Sequence, residues 1–392
     1  MTPPLTPAAQ TARPAVQHLV ASQIREVANA GLGDPDVLPF WFGEPDEVTP
    51  AFIRDVAARS LAAGETFYSQ NFGIPPLREA IAGYVSRLHR GIDAERVAVT
   101  ASGMSALMLT VEALLSPGDR VVIVTPLWPN LVEIPKVLSA HVTCVPLVFG
   151  ADGWTLDLER LLAALTPGTR AVMINSPNNP TGWTIDRMTQ QAILHHCRRL
   201  GIWIIADDVY ERLVYDGSPC APSFLDLASP DDRLVSTNSF SKSWLMTGWR
   251  LGWIVAPEPL MPDLGKLIEY NTSCSPVFVQ RAGVAALTDG EGTVAHTLVR
   301  YHAARDFLVA ALARMPRVQV APPPGAMYAF FRVAGVTDSL AFCKALVREA
   351  KLGLAPGSAF GPEGEGFVRW CFASGEARLA DGVGRLERFL SG

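Results

Sequence analysis

AVMINSPNNPTGWTIDRMTQQAILHHCRRLGIWIIADDVY, residues 171–210, contains one full cycle of the pattern that decides the fold. It opens on a short apolar run, 171–175, and passes through a Pro/Asn/Gly loop and a helical stretch. It then returns to a second apolar run, 202–206, that ends on two acids. Continuous Val/Ile-rich runs of this length suit strands buried on both faces, and a helix between two of them argues for a parallel crossover. The same rhythm surrounds it, with runs at 97–100, 121–125, 142–145, 234–237 and 251–255 alternating with helical segments. The fold class is therefore α/β, a mostly parallel central sheet flanked by helices.

The rhythm changes after about residue 269. One long helical stretch is expected over 276–315, short strands near 318–320, 328–333 and 367–371, and helices at 339–350 and 376–390. This reads as a smaller α+β domain. At the other end, residues 1–15 read as a Pro/Thr/Ala-rich arm. A helical pattern at 17–30 is stopped at GLGDP, where Gly31 suits a C-cap better than a dinucleotide motif. Helices are also expected at 51–63 and 76–88.

Composition excludes several classes of function. Of 392 residues, 49% are hydrophobic and 18% charged, which is too apolar for a disordered chain. A net charge of -5 offers no basic surface for nucleic acid. The apolar runs fall far short of the ~18 residues that span a bilayer. Six scattered cysteines form no CxxC pair, so neither metal-ligand spacing nor a disulfide framework is expected. His195 and His196 diverge on a helix and suit no metal site. The first ten residues lack a charged region followed by an apolar run, so a cytoplasmic location is expected.

Ligands of open α/β sheets sit outside the carboxyl ends of the strands. The expected strands are followed in turn by Ser102-Gly103-Met104, by Trp128, by SPNNPTG (176–182), by DDVY (207–210) and by NSFSK (238–242). A small donor turn, an aromatic, an amide, an acid with a phenol and a lysine among serines suit a planar, phosphorylated, aromatic cofactor.

SFSKSWLMTGWRLGW (239–253), SPNNPTG, DDVY, FGEPD (42–46) and FVRWCFA (367–373) together resemble the pyridoxal-phosphate-dependent class I/II aminotransferases of fold type I. They stand in the family's order and cover nearly the whole chain after about residue 20. The resemblance implies a large cofactor-binding domain over 48–290. It also implies a smaller domain built from both chain ends, 16–47 and 291–392.

It further implies pyridoxal 5'-phosphate as cofactor, with Lys242 forming the Schiff base and shuttling the proton between Cα and cofactor. Asp207 would face the ring nitrogen, keeping the ring an electron sink. Tyr210 and Asn179 would hydrogen-bond the ring oxygen, and Trp128 would stack on the ring. Arg250 and Ser239, with Ser241 and the Ser102-Gly103-Met104 backbone at a helix start, would take the phosphate. As sequence alone, that turn reads equally well as a plain N-cap. Tyr68 would reach the phosphate of a neighbouring subunit, which implies a homodimer with shared active sites. Arg369 would grip the substrate α-carboxylate, with Asn179 and the Gly43 backbone beside it. Asp208 would point away from the site as a solvated or capping acid. GPEGEG (361–366) reads as a mobile loop near the site.

The reaction expected is transamination between an L-amino acid and a 2-oxo acid, 2-oxoglutarate being the family's habit. Met104, Trp370 and Cys371 would form soft surroundings that favour neutral, aromatic or branched side chains, with aspartate possible if a residue such as Arg25 supplies charge. A C–S β-lyase on the same fold is the first alternative. A cofactor-binding regulatory module is the second, disfavoured by the short stretch ahead of FGEPD and by the negative charge.

Overall fold

The computed structural model describes residues 11–392. The first ten residues of the expected arm lie outside that range. Its described end forms a short helix, Pro14–Gln17. Arg13 donates from there to the Val137 carbonyl at 2.5 Å.

Seven strands make the main sheet among the described residues: β1 (Val97–Thr100), β2 (Arg120–Thr125), β3 (His141–Pro146), β4 (Thr169–Asn175), β5 (Trp203–Asp207), β6 (Leu234–Ser239) and β7 (Gly252–Val255). Their order is β1-β7-β6-β5-β4-β2-β3. The five strands from β6 to β3 run parallel. β7 lies antiparallel between β1 and β6. Every residue of β1 and β7 is buried, as continuous apolar runs require.

The crossover from β4 to β5 shows how sequence sets the path. Helix Arg187–Leu200 begins at Asp186, whose carboxylate accepts from Thr189 N at 2.8 Å. It ends at Gly201, which is left-handed at φ 68°, and the chain turns directly into β5. That turn aims the carboxyl end of β5, with Asp207, at the same edge as the ends of β4 and β6.

A second, antiparallel sheet follows in the order β8-β9-β11-β10: β8 is Val318–Gln319, β9 Tyr328–Val333, β10 Ala355–Pro356 and β11 Phe367–Cys371. Ile24, Val27 and Trp41 from the N-terminal segment pack into one core with Phe330, Trp370 and Leu386. Each fully buried aliphatic or Phe side chain there contributes about 1.5–3 kcal/mol. Leu38–Pro39 pairs parallel with Leu352–Gly353, joining the two ends of the chain. No helix among the described residues is long and apolar enough to cross a membrane.

Two expectations are corrected. The single helix over 276–315 is two, Val277–Asp289 and Glu291–Ala313. Gly290 separates them because the chain passes too close for a side chain: a Cβ there would meet the Ala286 carbonyl at 2.1 Å and the Trp244 ring at 2.8 Å. The segment 361–366, expected as a mobile loop, contains a short element. It folds into a tight 3₁₀ turn at Pro362–Gly364 in which Gly364 is buried against Gly357, and Glu363 accepts from Thr125 Oγ1 at 3.1 Å. A hairpin, Val148–Gly150 with Gly153–Thr155, was not anticipated; its strands are too short to show a period. It lays Phe149 and Trp154 against Phe367, with ring centroids 5.2 and 5.1 Å away.

Candidate active site

The carboxyl ends of β4, β5 and β6, the start of helix Gly103–Leu114, the 42–44 loop and β11 enclose a cavity of about 530 Å³. Lys242, Asp207, Tyr210, Gly103, Met104, Trp128, Asn179, Ser239, Ser241, Arg250, Gly43 and Arg369 all line it. The cavity thus brings together residues spread over more than three hundred positions of sequence. Ser102 does not line it; its hydroxyl caps the helix by accepting from Ser105 N at 3.0 Å. That leaves the helix's first backbone N–H groups free for an anion. Tyr68 is also outside the lining and 90% exposed.

Asp207 is 6% exposed at the last position of β5. Asn175, at the end of the neighbouring β4, donates from Nδ2 to Asp207 Oδ2 and to its backbone oxygen, both at 3.1 Å. The Asn175 Oδ1 accepts from Asn179 N at 2.8 Å. One amide therefore positions two site residues. Burial pushes the Asp207 carboxyl up to about 7, aided by the charge of Asp208, while the Val209 N–H and Lys242 act the other way. A cation placed beside it inside the cavity would hold it ionised.

The Lys242 amine donates to the Gly43 carbonyl at 2.5 Å and lies 5.8 Å from the Tyr210 ring centroid. Burial pushes it down to about 8; Cys371 and Glu44 pull it up, while Arg369 and Arg250 add to the push down. The neutral amine is the nucleophile toward an aldehyde. Uptake of pyridoxal phosphate by the apoprotein should therefore accelerate about tenfold per pH unit on the acid side and level off above about 8. Stopped-flow absorbance across pH checks this.

At the other end of the cavity Ser239 and Ser241 hydroxyls lie 2.8 Å apart. Arg250, exposed and left-handed at φ 53°, is held by the Thr247 carbonyl at 2.6 Å. Gly252 lets β7 run under the Gly103 amide, where a Cβ would come within 2.5 Å of Gly103 N. Two hydroxyls, a guanidinium and a helix start form a set of donors that fits a phosphate.

Arg369 is 2% exposed on β11. Its Nη1 donates to Asn179 Oδ1 at 2.9 Å and its Nη2 to the Trp41 carbonyl. Its Nε is buried with no partner among the described residues. With five N–H donors and two hydrogen bonds made, a carboxylate can still be held by two bonds. The guanidinium sits 4.5 Å from the Tyr328 ring and 4.9 Å from that of Phe360, which fixes its plane.

Tyr328, Asn175 and the Trp41 carbonyl carry no sequence motif and were missed. The one available signal was the polar Asn175 closing an otherwise apolar strand. Tyr328 matters because its hydroxyl meets that of Tyr210 at 2.7 Å and roofs Gly43. A Cβ at position 43 would lie 2.0 Å from the Tyr328 oxygen. Gly43→Ala should displace the buried Tyr328, lower kcat/KM about 10²-fold and cost about 1–3 kcal/mol of stability; steady-state kinetics and a melting curve measure both.

Three expectations about surroundings change. Trp370 turns to the opposite face of β11 from Arg369 and packs on Phe40 at 5.0 Å, away from the cavity. Cys371 is buried and outside the lining. Asp208 is 5% exposed rather than solvated. Met104 does line the cavity, within 3.7 Å of Asn130 Nδ2.

The donors for a phosphate, the buried Asp207 carboxyl, the Trp128 side chain and the Lys242 amine line one cavity and together fit pyridoxal phosphate. The description "Aminotransferase class I and II" matches residues 35–385. The chain is 36% identical to an aspartate aminotransferase of Pyrococcus horikoshii over 95% of both chains. It is 33% identical to aromatic-amino-acid aminotransferase 2 of Thermococcus litoralis, covering 94% of this chain and 95% of that one. The crystal structure of an aspartate aminotransferase from Thermotoga maritima superposes with a TM-score of 0.90 at 34% identity, covering 97% of this chain and 100% of that one. The chain belongs to the class I and II aminotransferases, pyridoxal-phosphate-dependent enzymes of fold type I.

Proposed function

We propose that this aminotransferase transfers the α-amino group of a neutral or aromatic L-amino acid to a 2-oxo acid such as 2-oxoglutarate. The observation that carries the reading is the convergence in one cavity of a half-buried amine of lowered pKa, Asp207 and a guanidinium with unused donors. When bound, the cofactor supplies an electron sink for the pair left as the substrate Cα–H bond breaks. Lys242 would hold the cofactor through its aldehyde carbon, and its amine, once freed by the substrate, would take the proton from Cα. Arg369 holds the α-carboxylate so that Cα–H points at that amine, with the Gly43 backbone and Asn179 beside it. Asp207 would keep the ring nitrogen protonated, Tyr210 and Asn179 would bind the ring oxygen, and Trp128 would cover the ring. Gly103, Met104, Ser239, Ser241 and Arg250 anchor the phosphate end, Gly103 and Met104 through the helix start that Ser102 caps.

Ile24, Phe42, Leu107 and Val209 line the cavity beside Met104 and support an apolar substrate side chain. A second reading, an acidic side chain, is favoured by Arg25. Its guanidinium lines the cavity 5.0 Å from the Phe42 ring and has no carboxylate partner among the described residues. We place the cofactor-binding domain at 48–290 and the smaller domain at 16–47 with 291–392, because most of each stretch packs in its own core, with Val294, Tyr210 and Leu213 crossing between them. The exposure of Tyr68 supports a homodimer in which it reaches the partner's phosphate site, and six free thiols support a reducing, cytoplasmic setting.

The test is a panel of L-amino acids given to the holoenzyme without a 2-oxo acid. Transamination yields one 2-oxo acid per site and no ammonia, and the best donors name the side-chain class. Continuous release of pyruvate and ammonia would instead establish the β-lyase.

A further inference from the structure

Behind Asp207, on the side of β5 away from the cavity, lies a buried cluster of acids around His89, with Arg212 at its edge 5.9 Å from the Tyr84 ring and Arg187 acting on Asp226. His89, at the end of helix Pro75–Leu88, has a side chain only 1% exposed that bridges two carboxylates: its Nε2 meets Glu211 Oε2 and its Nδ1 meets Asp226 Oδ1, both at 3.1 Å. The other Glu211 oxygen accepts from Tyr84 Oη at 3.0 Å and from Asn238 Nδ2 at 2.8 Å. Burial opposes charge on His89, but its two carboxylate partners outweigh it and raise the imidazole to about 10. His89 is a cation at neutral pH and is shared between two anions, so the triad carries a net negative charge.

Asp208 faces this triad. Its Oδ2 lies 2.6 Å from Ser236 Oγ and 3.3 Å from Ser223 Oγ, and no cation touches it. Cys220 also faces it, from the segment after Glu211. Arg212, the next cation along the chain, is taken by Glu291 and by the Pro219 carbonyl at 2.9 Å. Asp207, one residue earlier, faces Lys242 and the place of the ring nitrogen. Two adjacent carboxyls this deeply buried do not both ionise readily, and the proton settles on the one facing the greater negative charge.

We propose that Asp208 is held as the neutral carboxylic acid in the holoenzyme and is the positioning residue that leaves Asp207 ionised opposite the cofactor. The Ser236 and Ser223 hydroxyls donate to its Oδ2, and the acids of the Glu211–His89–Asp226 triad favour the protonated form against them. Burial and the charge of Glu211 raise Asp208 to about 7, while Ser236, His89 and Ser223 act the other way; this places its titration where it can be followed. The proposal rests on the assignment of Asp207 to the ring nitrogen.

Infrared spectroscopy of the holoenzyme tests it through the C=O stretch of a protonated, buried carboxyl. A band present at neutral pH or just below should bleach on raising the pH, vanish in Asp208→Asn and persist in Asp207→Asn. In Glu211→Gln, which keeps the side chain's size but only one acceptor oxygen, one facing charge is gone and the band should bleach about one pH unit lower. Should Asp208→Asn fail to fold, Ser236→Ala should shift the band's frequency. A band that vanishes in Asp207→Asn instead, a band that none of these substitutions moves, or no band at all overturns the proposal. Failure of the underlying assignment looks different: Asp207→Asn would then retain normal cofactor affinity and turnover while the Asp208 band stayed in place.

Discussion

Lys242→Ala is expected to lower kcat by at least ~10⁴-fold, since positioned proton transfer alone contributes ~10²–10⁴ and the covalent route is lost with it. Among the described residues no other lysine lines the cavity, so none of them can substitute. The amine's hydrogen bond in the structure is to the Gly43 carbonyl, which the 42–44 loop leaves near solvent. Folding should therefore survive, and circular dichroism should match the parent. A small exogenous amine should restore part of the proton transfer. Single-turnover kinetics with and without that amine measure both effects.

Arg369→Lys carries the second-largest expected effect. Lysine keeps the charge but offers a point cation where the site presents a planar fork. Losing a buried, hydrogen-bonded partner of a carboxylate costs about 2–5 kcal/mol, or roughly 30- to 4,000-fold in kcat/KM. Most of the loss should appear in KM for the amino acid, because the α-carboxylate is bound in ground and transition states alike. Some should appear in kcat, because Cα–H is then aimed less well. The substitution also frees Asn179 Oδ1 and the Trp41 carbonyl from their guanidinium partner. A modest fall in melting temperature should accompany the kinetic change. An effect on kcat alone, with KM untouched, would place the carboxylate elsewhere.

The sequence made the cofactor side of this site legible for a physical reason. Asp207, Asn179, Ser239 and Lys242 each stand at or just after the end of a buried strand, and a parallel sheet sends all such ends to one edge. The apolar runs locate the strands, so the residues that follow them locate the site. Arg369 was legible only through family resemblance, because β11 belongs to another sheet whose docking no local pattern reveals. Once Arg369 is placed inward, alternation along the strand turns Trp370 away, and a period-two reading would have removed it from the substrate pocket.

Other features needed the tertiary structure. Asp208 was rightly turned away from the cavity, but away from the cavity is not toward water. The far face of β5 is covered, and the cover brings His89 from 119 positions earlier in the chain. Tyr328 sits in an unremarkable apolar stretch and gains its role from the approach of Gly43 and Tyr210. Gly290 divides a continuous helical pattern because of what packs against it, and the helical period continues on either side.

The most direct test of the account is to reduce the holoenzyme with borohydride and map the cofactor-bearing peptide by mass spectrometry. The account predicts one mole of pyridoxyl phosphate per chain, fixed on Lys242, with labelling abolished when a good amino-acid donor is added first. A label on any other lysine, or none on a protein that still transaminates, would contradict it.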